Sequence, residues 1–140
     1  AQQVIFNCMD SLNVFCEKCA FNDGSGLSRR NLTSANCLVQ LLTGASERNN
    51  SIALDTTLSI AGVDGTLRNR MIGTGAENNL KGKTGTLNNV SSLAGYVTTL
   101  DNEKFAFAFI FNGPNVGYYK RIEDRLGEIL SQFFYFNKEN

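Results

Sequence analysis

The run Ser92-Leu93-Ala94-Gly95-Tyr96-Val97-Thr98-Thr99-Leu100-Asp101-Asn102-Glu103-Lys104-Phe105-Ala106-Phe107-Ala108-Phe109-Ile110-Phe111 decides the fold. Leu93, Gly95, Val97 and Thr99 alternate with Ala94, Tyr96 and Thr98. After the polar connection Asp101 to Lys104, Phe105, Phe107, Phe109 and Phe111 take one face, and Ala106, Ala108 and Ile110 the other. A period of two with β-branched and aromatic residues predicts strands, and the short polar connection predicts an antiparallel hairpin. The second strand is apolar on both faces, so both are expected to be covered, with the small alanines letting a helix pack close.

On either side the pattern is helical. Val4, Ile5, Cys8, Met9 and Leu12 are spaced as one face of a helix over residues 1–13. Ser34 is a good N-cap for a second helix with Leu38, Leu41 and Leu42 on its apolar face and Gly44 as its stop. Residues 46–75 read mostly as loop, with a short helical stretch at Thr66 to Met71. Asn112-Gly113-Pro114-Asn115 breaks the sheet. Tyr118 to Phe136 then predicts a terminal amphipathic helix with Ile122, Leu126, Ile129, Leu130 and Phe133 on one face. Helices, then about three antiparallel strands, then a helix lying back on them make an α+β domain rather than a βαβ repeat.

The chain has 140 residues, enough for one domain over residues 1–140, and its 42% hydrophobic content suits a globular protein. Thirteen basic residues balance thirteen acidic ones, so no electrostatic footprint for nucleic acid is expected. No apolar run is long enough for a transmembrane segment. The start at Ala1 lacks an initiator Met and has no signal-peptide pattern, so a processed or excised piece of a longer protein is expected. Histidine is absent, which removes Ser-His-Asp and Cys-His catalysis and nearly every His-ligated zinc hydrolase. Cys8, Cys16, Cys19 and Cys37 fall in the first quarter. Cys16-Glu17-Lys18-Cys19 can be half a zinc site or a redox pair; buried free thiols or an incidental disulfide are the plainer reading.

Lys83-Thr84-Gly85-Thr86 carries the chemistry, and is expected on a β-strand near the start of the sheet. An ammonium attracts an anion or relays a proton, threonine hydroxyls hydrogen-bond a carboxylate, and glycine lets another backbone approach a strand edge. Alone the string is ordinary, since Lys and Thr are common on exposed strands. Strand alternation also puts Lys83 and Thr84 on opposite faces, so both serve one cleft only if it straddles the strand edge.

The surrounding blocks add specificity. Asn22-Asp23-Gly24-Ser25-Gly26-Leu27-Ser28-Arg29 precedes a helix, and Ile60-Ala61-Gly62-Val63-Asp64-Gly65-Thr66-Leu67 follows it. Then come Lys83-Thr84-Gly85-Thr86-Leu87 and Ser92-Leu93-Ala94-Gly95-Tyr96-Val97. In this order and spacing, from about residue 20 to the end, the chain resembles the C-terminal part of the class C penicillin-binding proteins. These are D-alanyl-D-alanine carboxypeptidases/endopeptidases of the β-lactamase-like superfamily. The resemblance implies a transpeptidase-like fold and a serine acyl-transfer mechanism built on S-x-x-K, S-x-N and K-T-G, without metal or organic cofactor.

Lys83, Thr84 and Gly85 match the third motif. No serine here has a lysine three positions later, and the family's S-x-N would fall just before Ala1. Ser11-Leu12-Asn13 and Ser34-Ala35-Asn36 read as chance strings, one near a helix end and one an N-cap. The resemblance implies that Lys83 is catalytic, helping the electrostatics and proton traffic of acylation. Thr84 and Thr86 would bind a terminal carboxylate, the Thr86 N–H would be an oxyanion donor, and Gly85 would leave room for a peptide added along the edge. Implied partners are peptidoglycan stem peptides, β-lactams and the missing N-terminal part of the domain, in a periplasmic or other extracytoplasmic location. A non-catalytic module binding wall peptides or a protein is the alternative. Asp23-Gly24-Ser25-Gly26 and Asp64-Gly65-Thr66 read as turns, and the phenylalanine stripe as core. Asn31-Leu32-Thr33, Asn49-Asn50-Ser51 and Asn89-Val90-Ser91 are formal glycosylation sequons that a bacterial wall enzyme leaves unused.

Overall fold

A computed structural model describes residues 2–47 and 54–135. Helix α1 spans Gln2–Ser11 and α2 spans Ala35–Ser46. Strand β1 is Ser59–Ile60, followed by a 3-10 turn at Gly65–Leu67. Strands β2 (Lys81–Leu87), β3 (Val90–Thr98) and β4 (Lys104–Asn112) precede the terminal helix α3 (Val116–Ser131). The sheet is antiparallel in the order β1-β2-β3-β4, so it has four strands rather than about three. The extra strand is two residues long and too short to show periodicity inside a stretch that otherwise reads as loop.

The predicted hairpin forms, with Thr98 opposite Lys104 and Val90 opposite Asn112. Its two faces face different layers. Leu93, Val97 and Phe107 join Leu67, Met71 and Leu80 in the main core, with Phe105, Phe109 and Leu130 packed against it. On the other face Tyr96, Ala94 and Ala106 meet Leu42 of α2 and Leu58. Leu67, Leu80, Leu93 and Val97 are at most 1% exposed, each contributing about 1.5–3 kcal/mol by burial. The phenylalanine stripe is packing: Phe105 meets Phe133, and Phe111 stacks on Tyr119.

Ser34 caps α2 as its sequence predicts, its side chain accepting from the Cys37 N–H. Gly44 does not stop that helix, which continues to Ser46. A Cβ at Gly44 would stand 2.7 Å from the Leu12 carbonyl oxygen, so this glycine lets α2 close on the segment leaving α1. On α1, Met9 is buried and Ile5, Phe6 and Leu12 pack beside it, whereas Val4 and Cys8 lie on an exposed flank.

Helix α3 also departs from the predicted stripe. Its buried positions are Glu123, Gly127 and Ser131, one turn apart, while Ile129 is half-exposed. Gly127 brings the helix against the core, since a Cβ there would come within 2.7 Å of Leu80 Cδ1. Glu123 is fully buried and accepts hydrogen bonds from Arg70 at 2.9 Å and Ser91 Oγ at 2.7 Å. Arg70 also pairs with Asp124 at 2.7 Å. Hydropathy spacing misses such a row because one member is a charged residue whose burial depends on a partner 53 positions away. The sequon at Asn49-Asn50-Ser51 and the expected helix end at Phe136 lie outside the described residues.

Candidate active site

Strand β2 is paired along its whole length with β3, Lys81 facing Tyr96 and Leu87 facing Val90. On its other side β1 reaches only Lys81 and Gly82. Among the described residues, no strand covers the outer edge of β2 from Lys83 to Leu87. That is the geometry by which side chains on opposite faces can border one cleft, with the bare edge running between them.

Lys83 is exposed, and its Nζ donates to the Thr84 carbonyl oxygen at 2.7 Å. Among the described residues it has no carboxylate partner within ion-pairing distance, so its ammonium is met by solvent and by the Thr84 carbonyl oxygen. Thr84 Oγ1 donates to Thr66 Oγ1 at 2.9 Å, which ties the strand to the 3-10 turn. Thr86 is exposed, opposite Ser91. A Cβ at Gly85 would lie 2.4 Å from Ser92 Oγ, which itself donates to the Gly85 carbonyl oxygen at 3.4 Å. A side chain there would force Ser92 to another rotamer, so the glycine also serves contact with β3.

The loop over Asn22 to Ser28 is organised by Asp23. Its carboxylate accepts from the Gly26 N–H at 2.9 Å, the Ser28 N–H at 2.8 Å and Asn31 Nδ2 at 2.9 Å. The Asn31 bond foremost, with the two backbone bonds, holds the Asp23 carboxyl below its usual range, against the opposing effect of burial. The loop is therefore a hydrogen-bonded turn, as its composition predicts. Asn31 is committed to it, accepting from the backbones of Asn22 and Asp23. Arg29 Nη2 donates to the Asn88 carbonyl oxygen at 3.2 Å, tethering the loop to the β2–β3 turn. Asp64 accepts from the Ile60 N–H at 2.7 Å, as a turn residue does. Ser11 Oγ donates to the Cys8 carbonyl oxygen at 2.7 Å, so it and the N-cap Ser34 both have local structural roles.

The cysteines form a disulfide, Cys16–Cys37, with Cys19 half-buried and Cys8 exposed as thiols. Cys8 is therefore a free thiol but not a buried one. A second charged group lies at the paired end of β2. Asp55 bridges Lys81 and Lys104, whose Nζ sits 4.2 Å above the Tyr96 ring. Burial works against charge on Asp55, but the two lysines outweigh it and hold its carboxyl below the usual range. Burial, reinforced by the Asp55 charge, raises the Tyr96 hydroxyl above its usual value.

Thr66, Arg29, and the Ser91–Glu123–Arg70 chain are the supporting residues that sequence reasoning missed. Thr66 and Arg29 stood inside the quoted blocks, so the blocks were a signal for position without contact. Glu123 had no local signal.

The chain matches the family model of D-Ala-D-Ala carboxypeptidase 3 (S13) over residues 1–133. It is 37% identical over 130 residues to a D-alanyl-D-alanine carboxypeptidase of Actinomadura sp. strain R39, covering 89% of this chain and 24% of that protein. It is 39% identical over 97 residues to the D-alanyl-D-alanine carboxypeptidase DacB of Haemophilus influenzae, covering 68% of this chain and 20% of that protein. The chain thus spans about a quarter or less of the length of these relatives. The crystal structure of penicillin binding protein 4 from H. influenzae, complexed with a novel β-lactam, superposes with a TM-score of 0.80. That match is 27% identical and covers 94% of this chain and 33% of that one. With residues 1–133 of this chain matched by the family model, and the fold shared with that penicillin-binding protein, the chain belongs to the D-Ala-D-Ala carboxypeptidase (S13) family.

Proposed function

We propose that this chain is the C-terminal portion of a serine D-alanyl-D-alanine carboxypeptidase/endopeptidase domain. It supplies the K-T-G wall of the active site while the nucleophile comes from a preceding segment. The observation that carries the reading is the outer edge of β2, bare among the described residues and beginning at Lys83, the first residue of the motif. Family membership, the β-lactam complex of a relative, and the lack of any S-x-x-K string here support it.

In this reading a peptide ending in D-Ala-D-Ala adds along the edge as a further strand. Lys83 stabilises charge and assists proton transfer while a serine from the preceding segment attacks the penultimate D-Ala carbonyl carbon. The Thr86 N–H donates to the oxyanion that develops. The Thr84 and Thr86 hydroxyls bind the terminal carboxylate. A hydroxyl both donates and accepts, so Thr66 can turn donor to Thr84 and free the Thr84 hydrogen for the substrate. Water then releases the acyl-serine. The protein works outside the cytoplasmic membrane, where peptidoglycan and β-lactams are met. The rival is a non-catalytic binder of wall peptides on the same fold.

Labelled penicillin followed by peptide mapping tests both. The full-length protein should carry one acyl label, on a serine preceding this chain, and residues 1–140 alone should carry none. A stoichiometric label on any serine of residues 1–140 overturns the proposed division of the site. A full-length protein that binds wall peptides but takes no label favours the binder.

A further inference from the structure

We propose that Cys16, Cys19 and Cys37 form a single thiol–disulfide exchange site, in which Cys37 is the shared sulfur and its bridge is carried by Cys16 or by Cys19. The three Sγ atoms lie within 4.8 Å of one another. Cys16 and Cys37 are joined, and the Cys19 thiol sits 3.5 Å from Cys37 Sγ, within contact of the bond it would attack.

Local structure explains the convergence. Lys18 takes a positive φ of 59°, so the Cys16-Glu17-Lys18-Cys19 turn folds back on itself. Ala20 pairs with Leu32 through two backbone hydrogen bonds, which fixes the chain leaving that turn. Cys37 lies in the first turn of α2, held there by its N–H bond to Ser34 Oγ. Met9, Val14 and Leu41 pack around the group, so the three sulfurs stay together whichever pair is bonded.

The exchange balances without any outside oxidant or reductant. Cys19 loses its proton to solvent and its thiolate attacks Cys37 Sγ. The Cys37–Cys16 bond breaks as the Cys19–Cys37 bond forms. The electron pair of the broken bond stays on Cys16 Sγ, which takes a proton from solvent. Chain entropy gives neither bridge a decisive advantage. The sequence separations are 21 and 18, and the loop-length dependence makes their closure equilibria differ by about 1.3-fold. The product differs in what it exposes, since Cys16 lines an open groove with Phe6, Met9, Val14 and Phe15, rimmed by Asp10 and Glu17. The released thiol therefore opens on a surface where a thiol-reactive compound can modify it.

The test uses the full-length protein purified without reductant. It is held at about pH 8.5, near the ordinary ionisation point of a thiol. Free thiols are then trapped with N-ethylmaleimide and mapped by mass spectrometry, with exposed Cys8 as the internal standard for complete labelling. The expected result is label on both Cys16 and Cys19 in complementary amounts, with disulfide-linked peptides Cys16–Cys37 and Cys19–Cys37 both present. Cys19→Ser should reduce Cys16 labelling at least tenfold, and Cys16→Ser should yield the Cys19–Cys37 bridge. Label confined to Cys19, with Cys16 unlabelled throughout, overturns the exchange. Label appearing on Cys37 overturns its role as the shared sulfur. The wild-type mapping decides the matter even if either variant fails to fold.

Discussion

The two ends of strand β2 are held in different ways. At Lys81 and Gly82 the strand has a neighbour on each side, and the partly exposed Asp55 ties Lys81 to Lys104. From Lys83 onward the outer side is bare among the described residues, and support comes from the inner side. Ser91, opposite Thr86, donates to the fully buried Glu123 of α3, and Arg70 completes the pair. An edge with no neighbouring strand among the described residues is braced through its one partner strand and the helix beneath. Exposed ion pairs contribute little, whereas a buried charge that loses its partner is costly. The strong electrostatic element is thus placed under the open end.

Glu123→Ala should break this contrast with the largest effect. It leaves Arg70, nearly buried, with Asp124 as its remaining carboxylate partner and Ser91 without its acceptor. A loss of about 3 kcal/mol is expected, the low end for breaking a buried pair, because Asp124 still meets Arg70. Urea denaturation of the full-length protein measures it, and a loss below about 1 kcal/mol would remove the brace from the account.

Lys83→Ala separates the open end's chemistry from its stability. In the full-length protein, acylation by labelled penicillin should fall by about two orders of magnitude or more, the scale for a positioned electrostatic or proton-transfer group. The melting temperature should hardly move, because the side chain is exposed and makes no ion pair among the described residues. Unchanged acylation would reduce Lys83 to a surface charge.

Thr86→Val sharpens the role of the same edge. Valine keeps the β-branched shape and removes the hydroxyl. A hydrogen bond to a charged group contributes roughly 1.5–3 kcal/mol, so kcat/KM for D-Ala-D-Ala peptides should fall by tens of fold. A substrate with its terminal carboxylate amidated should lose much less. Equal losses on both substrates would take the carboxylate contact away from Thr86.

The smallest effect belongs to the paired end. Asp55→Asn should cost about 1 kcal/mol at pH 7, since its lysine partners are substantially exposed and screened. The folded-state pKa of Asp55 is lowered from 3.8, so its contribution is present above the unfolded value and lost as pH falls through the folded one. The wild-type advantage should therefore shrink below about pH 4. Urea midpoints of both proteins across that range test it, and a constant difference would assign the effect to packing.

Much of this was legible in the residues. The hairpin from Ser92 to Phe111 was readable because alternation reports burial on each face directly, and two covered faces leave few other folds. Ser34 was readable as a cap because capping is local. Lys83, Thr84, Gly85 and Thr86 could be singled out because their order among other blocks is a one-dimensional property. Glu123, Gly44 and β1 were not readable, because each depends on a partner distant in sequence: Arg70 and Ser91, the Leu12 carbonyl, and the Lys81–Gly82 end of β2.

By itself, then, the sequence determined the α+β class, the strands that pair by alternation, and the residues proposed for the site, since propensity, periodicity and motif order are local. The tertiary structure alone decided which edge of β2 stays bare, what braces it, and which three of four cysteines meet. Those outcomes turn on the juxtaposition of segments tens of residues apart, where burial of a charge or closure of a loop depends on the partner and not on the residue.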